Sequence, residues 1–139
     1  MTVSHVNIRS LYKNFDSFKE LYEDIFKCRF NIVGISEIWS VKDVDQFKIP
    51  DYNLELQCRS RQRGGGVGAY IHCSFNYSRI NDLSLVNAES LWLKVNIQNT
   101  SIIVGIIYRK PGTNFYEFDT ELNILLQKLN LDRNLCIIS

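Results

Sequence analysis

The sequence is poor in soft metal-binding side chains. It has two histidines, His5 and His72, and four cysteines, none of them in a C-x-x-C pair. Neither histidine flanks paired cysteines, so the common zinc arrangements are excluded. Cys28, Cys58, Cys73 and Cys136 read as buried free thiols in a reducing compartment, with Cys73 and Cys136 lying in apolar strand-like runs. Strong charge is lacking too. The net charge is +1, so no global field draws the chain onto nucleic acid and any such contact must come from local patches. The longest apolar run, Ile102 to Ile107 with Gly105 inside it, falls far short of the roughly 20 residues that cross a bilayer. The N-terminus, Met1-Thr2-Val3-Ser4-His5, is too polar for a secretory signal. Gly64-Gly65-Gly66 is not followed by Lys-Ser or Lys-Thr, which rules out a phosphate-binding P-loop.

What remains is the composition of an ordinary globular protein: 139 residues, 45% apolar and 22% charged. That length suits one domain over residues 1–139, with a real core and no internal boundary, repeat or linker. Strand-like and helix-like patterns alternate along it, which places it in the α/β class. Thr2 to Ile8 alternates as a first strand. Leu11, Phe15, Phe18, Tyr22, Ile25 and Phe26 then recur at helical spacing, giving an amphipathic helix from about Tyr12 to Phe26 whose aromatics face a sheet. A polar loop covers Ser40 to Lys48, Tyr52 to Cys58 and Val67 to Cys73 read as strands, and the polar stretch Ser74 to Val86 reads as a short strand and a loop. Leu91, Leu93, Val95 and Ile97 alternate inward, the tip Gln98-Asn99-Thr100-Ser101 turns the chain, and Ile102 to Tyr108 returns as a buried strand. Asn114 caps the next helix, with Glu117 completing a capping-box pattern. Leu135 to Ser139 opens a further buried strand.

The stretch Asn31-Ile32-Val33-Gly34-Ile35-Ser36-Glu37 is a short apolar run ending in a carboxylate. Such a run reads as a strand covered on both faces, and in open α/β sheets chemistry collects at the carboxyl ends of strands. Alone, Glu37 is either an active carboxylate at a cleft or a residue ending a strand in solvent. A second ambiguous stretch is Arg59-Ser60-Arg61-Gln62-Arg63. In an extended segment Arg59, Arg61 and Arg63 would share one face and grip successive phosphates; equally, they form a solvated hairpin tip.

Taken in order, Asn7-Ile8-Arg9-Ser10-Leu11, Ser36-Glu37-Ile38-Trp39, Arg63-Gly64-Gly65-Gly66-Val67 and Tyr108-Arg109-Lys110-Pro111 resemble the N-terminal part of an endonuclease/exonuclease/phosphatase domain. More narrowly, they are similar to the apurinic-type endonuclease domain of non-LTR (LINE-like) retrotransposons, which nicks DNA by metal-assisted hydrolysis to prime reverse transcription. The resemblance implies part of a four-layer α/β-sandwich: a mixed, largely antiparallel sheet with helices packed on one face, truncated before its second half. It implies Glu37 as the Mg²⁺-binding glutamate, Asn7 as an active-site asparagine and Tyr108 as the tyrosine that hydrogen-bonds the scissile phosphate; Arg109 reads equally as a backbone-phosphate contact or as a surface arginine. DNA is the implied partner, the nucleus the implied location, and a downstream reverse transcriptase accompanies the domain in a full-length element.

The sequence departs from the family at Ile38, often Thr, and at Lys110, often Pro. The family's later Gly-Asp-Phe-Asn and Ser-Asp-His have no counterpart in these residues. The chain is therefore expected to bind Mg²⁺ weakly, to be inactive by itself, and to lack most of the second sheet. An uncovered apolar inner face and open sheet edges would then favour self-association. Two other functions stay open: a non-enzymatic remnant acting as a nucleic-acid-binding or interaction module, and a phosphatase-type member of the same superfamily.

Overall fold

The computed structural model describes residues 1–22, 30–59, 64–129 and 134–139. Their elements form two four-stranded sheets packed face to face. In the first, β1 (Val3–Asn7), β2 (Ile32–Ser36), β3 (Tyr52–Gln57) and β4 (Val67–His72) lie in the order β1-β2-β4-β3. In the second, β5 (Asn76–Arg79), β6 (Ala88–Ile97), β7 (Thr100–Arg109) and β8 (Leu135–Ile138) lie in chain order. β1 pairs with β2 in parallel, and β7 pairs with β8 in parallel; the other ladders are antiparallel. Parallel neighbours need a crossover, and helices supply it. Helix α1 (Leu11–Glu20) connects β1 to β2, and α2 (Phe115–Leu129) leads from β7 to β8.

Three apolar layers hold this together. Between the sheets, Ile32, Val67, Ala69 and Ile71 meet Leu91, Leu93, Val95, Val104 and Ile106. Outside the first sheet, Leu11 and Phe18 of α1 cover Val33, Ile35 and Tyr70. Outside the second, Leu125 of α2 packs over Trp92 and Ile107. The alternation along β6 thus divides as pleating requires, Leu91, Leu93 and Val95 inward and Trp92 toward α2. Trp92 is 1% exposed, and burying its ring stabilises the fold by at most roughly 4–6 kcal/mol. It lies across the ladder from Gly105, where an added Cβ would sit 2.4 Å from the indole, so only glycine fits beneath the ring.

Several expectations change. The second sheet is present with four strands, one of them β5 within the stretch read as a short strand and a loop, and it covers the inner face of the first. The uncovered apolar face expected to drive self-association is therefore not a feature of the fold. The helices lie on opposite outer surfaces, each sheet carrying one on a single face. β8 is an edge strand in which only Ile138 is buried. Cys58 and Cys136 are half-buried free thiols and Cys73 is exposed, because it falls just past the end of β4. The helix residues expected at Ile25 and Phe26, and Cys28, lie outside the described residues. No described helix is long and apolar enough to cross a membrane.

Candidate active site

Three strand ends converge at one rim of the sandwich. Asn7 closes β1, Glu37 follows the last residue of β2, and Tyr108 stands one residue before the end of β7. Glu37 Oε1 accepts hydrogen bonds from Asn7 Nδ2 and from the Tyr108 hydroxyl, each at 2.9 Å. Glu37 and Tyr108 are 71 positions apart in sequence and belong to different sheets. Among the described residues, Glu37 Oε2 has no hydrogen-bond partner. Asn7 is itself aimed, since its Oδ1 accepts from the Arg9 backbone N–H at 3.2 Å.

The backbone here is held in left-handed conformations that ordinary side chains rarely adopt. Arg9, Ser10, Glu37 and Trp39 have φ of 46°, 91°, 55° and 64°. Each costs of order 1–3 kcal/mol and persists only where surrounding contacts over-determine it. Those contacts are present. Ser10 N–H donates to Glu37 O at 2.7 Å, Leu11 N–H to Ile38 O at 3.2 Å, and Trp39 N–H to Gly65 O at 2.8 Å. Loops after β1 and β2 thereby lace to each other and to the glycine turn. Gly65 and Gly66 there have φ of 73° and 84°. A Cβ on Gly66 would approach Ile38 Cγ1 to 2.7 Å, so this turn needs glycine for both space and conformation.

Burial pushes the Tyr108 phenol above its ordinary range, and its hydrogen bond to Glu37 pushes further the same way. It therefore stays protonated, a neutral donor, at physiological pH. The histidines take no part. His5 and Ile106 both border Gly34; the His5 Nε2 is buried without a partner among the described residues, and burial lowers its pKa. His72 ends β4 at the far end from Val67, which pairs with Ser36 beside the site.

The arginines fare unequally. Arg59 pairs through Nε with Glu89 Oε1 at 2.5 Å, and Glu89 lies across the ladder from Tyr108, so this pair borders the centre. Arg109 does not join it. Its neighbour Tyr108 faces the inter-sheet side, successive side chains alternate, and Arg109 Nη1 instead donates to Thr113 O at 2.9 Å. Arg61 and Arg63 lie outside the described residues. Glu89 escaped the sequence reading. A two-residue turn at Gln98-Asn99 sets Ile97 opposite Thr100 and hence Glu89 opposite Tyr108. Reading the tip as four residues shifts that register and hides the pairing.

No family model matches the chain, and no curated protein matches it. Solved structures do. It is similar to the endonuclease domain of TRAS1, a telomere-specific non-LTR retrotransposon, at 11% identity and a TM-score of 0.69, covering 96% of this chain and 56% of that one. It is also similar to D. rerio TDP2 complexed with single strand DNA product, at 14% identity and TM-score 0.56, covering 97% and 57%. A third is the 3′ phosphatase NExo from Neisseria bound to a product DNA hairpin, at 13% identity and TM-score 0.58, covering 99% and 56%. The chain has the endonuclease/exonuclease/phosphatase sandwich fold and spans little more than half the length of these solved chains.

Proposed function

We propose that this chain carries the metal- and phosphate-positioning part of a Mg²⁺-dependent DNA endonuclease of the non-LTR retrotransposon kind, hydrolysing a phosphodiester to nick one strand. The observation behind this reading is the meeting of Asn7 and Tyr108 on one oxygen of Glu37, from three strand ends and both sheets. The motif resemblance around those residues and the fold likeness to proteins solved with a single strand DNA product and with a product DNA hairpin support it.

The donor chemistry fits Mg²⁺ at its minimum. Glu37 offers a hard oxygen, Oε2, with its other oxygen fixed by two donors. Mg²⁺ is commonly held by one or two carboxylates, with waters and phosphate oxygens completing the shell. Among the described residues no group of three or more His, Cys, Asp or Glu gathers that could hold a metal ion, so Glu37 would hold it with few protein ligands and weakly. When bound, the ion would polarise the phosphoryl oxygen and offset charge on the leaving oxygen. The protein's own part is orientation. Asn7 and Tyr108 hold the carboxylate at a fixed angle, and both are neutral donors that suit charge developing on a phosphate. No described imidazole or second open carboxylate stands where it would activate water, so the chain alone is proposed to bind DNA with Mg²⁺ yet nick it poorly. In a full-length element a reverse transcriptase would follow it, in the nucleus where its substrate lies.

The test is DNA affinity with and without Mg²⁺, read by fluorescence anisotropy on a short duplex, beside plasmid nicking. Mg²⁺ should tighten binding by the native chain and not by Glu37→Gln. Equal affinity with and without Mg²⁺ would overturn the hydrolytic reading in favour of a plain binding module. Release of phosphate from a phosphomonoester, lost in Glu37→Gln, would move the assignment to the phosphatase branch.

A further inference from the structure

Glu89 is a second carboxylate at the rim, and its surroundings are more fully built than those of Glu37. Its Oε1 accepts from Arg59 Nε, and its Oε2 accepts from the Gly66 backbone N–H. The Gly65 backbone closes over it: a Cβ there would lie 2.6 and 2.7 Å from the two carboxylate oxygens and 2.9 Å from Arg59 Cζ. Glu89 and Arg59 keep 11% and 22% of their side-chain surface in contact with water. A charged pair so desolvated is a costly way merely to fill space, because desolvation offsets much of the attraction between the partners. Its location is more informative. Glu89 is the rung opposite Tyr108, and the turn it holds is the one whose Gly65 carbonyl fixes Trp39 N–H beside Glu37. A single carboxylate thus ties together the end of β3, the glycine turn and the hairpin that delivers Tyr108.

We propose that Glu89 is a positioning residue that fixes the Arg59 guanidinium beside Tyr108 as a phosphate-contacting cation, so that a DNA backbone phosphate lies between Arg59 and the Glu37 centre. This deepens the hydrolytic reading, on which its choice of ligand rests, but it makes a claim of its own. Arginine suits the role, since its planar fork matches phosphate oxygens and its charge is permanent. Glu89 supplies the orientation by holding Nε, and the glycines supply the close approach that a side chain would block.

The sign of one substitution separates this from a merely structural ion pair. Deleting a carboxylate near bound DNA should tighten binding by simple electrostatics. If Glu89 positions Arg59, the deletion weakens binding instead. The experiment measures affinity of the full chain for a short labelled duplex across a salt series without Mg²⁺, for the native chain, Arg59→Ala, Glu89→Gln and the double variant. Arg59→Ala and Glu89→Gln should each weaken binding roughly tenfold, the order expected for one charge-assisted contact. Each should also reduce the slope of log affinity on log salt by about 1, the signature of one lost phosphate contact. The double variant should be no weaker than Arg59→Ala. Glu89→Asp, which keeps the charge, should retain the native slope even if thermal stability falls. Tighter binding, or an unchanged slope, in Glu89→Gln overturns the proposal. A preserved slope pattern without any Mg²⁺ effect would sink the hydrolytic reading and leave the anchor standing.

Discussion

Replacing Glu37 by Ala and Tyr108 by Phe, singly and together, measures whether the contact between the two sheets exists in solution. The hydroxyl of Tyr108 donates to Glu37 at 2.9 Å, and both residues are half-buried. A hydrogen bond to a charged group contributes about 1.5–3 kcal/mol when water is excluded. With both partners partly solvated, we expect a coupling of about 1 kcal/mol. Each single variant also perturbs other contacts, since Glu37→Ala strands Asn7 as well, but the cycle removes those shared effects. Urea unfolding supplies the four stabilities. With a slope of roughly 1–3 kcal/mol per molar, that coupling is a midpoint difference of about 0.5 M. The double variant should therefore be more stable than the sum of the single losses predicts. Independent sites add to within about 0.3–0.5 kcal/mol. A coupling below that limit would mean that Tyr108 and Glu37 do not touch, and the convergence on which the functional assignment rests would fall with it.

Two further outcomes follow from packing and from the buried phenols. Gly105→Ala places a methyl 2.4 Å from the Trp92 ring and should cost about 1–3 kcal/mol or more, whereas Gly112→Ala, with open space around it but a φ of 82°, should cost only about 1 kcal/mol. Thermal denaturation of the pair checks the order, and equal losses would contradict the tight Trp92 contact. Burial pushes Tyr77 up to about 12, helped by its hydrogen bond to Glu55, and burial also raises Tyr70, whose hydroxyl donates to Phe47 O at 2.7 Å. Because these folded values exceed the ordinary value near 10, their contribution is complete below pH 10 and is lost as pH rises toward and past 12. Phenolate absorbance should show Tyr70 and Tyr77 titrating late, with their ionisation coinciding with alkaline unfolding. Titration of all seven tyrosines near pH 10 in the folded chain would refute that.

The sequence was legible where periodicity is decisive. Leu91, Leu93 and Val95 alternate and do face the opposing sheet, and Leu11 and Phe18 recur at helical spacing and do lie on one. The second sheet was harder to see, because a run such as Ile102 to Ile107 has the same pattern whether it extends one sheet or begins another. Ser74 to Val86 reads as a short strand and a loop, and β5 is that strand, but its polar pattern does not say that it pairs with β6. At the site, motif resemblance pointed to Asn7, Glu37 and Tyr108, and the structure brings them together. Arg109 looked like part of the same motif, but pleating turns it to the other face. Glu89 carried no motif at all; only the length of a turn connects it to Tyr108.

The junction at Glu37 joins a residue carried by one sheet to a hydroxyl carried by the other, with the inter-sheet layer as its only spacer. Reach at the surface is therefore metered by hydrocarbon well beneath it. Gly34 is part of that gauge, since any Cβ there would already touch His5 and Ile106 at 3.4 Å. Thicken the filling and the phenol draws away from the carboxylate; thin it and the two crowd. A polar geometry open to water is thus tuned by nonpolar atoms that no substrate ever meets.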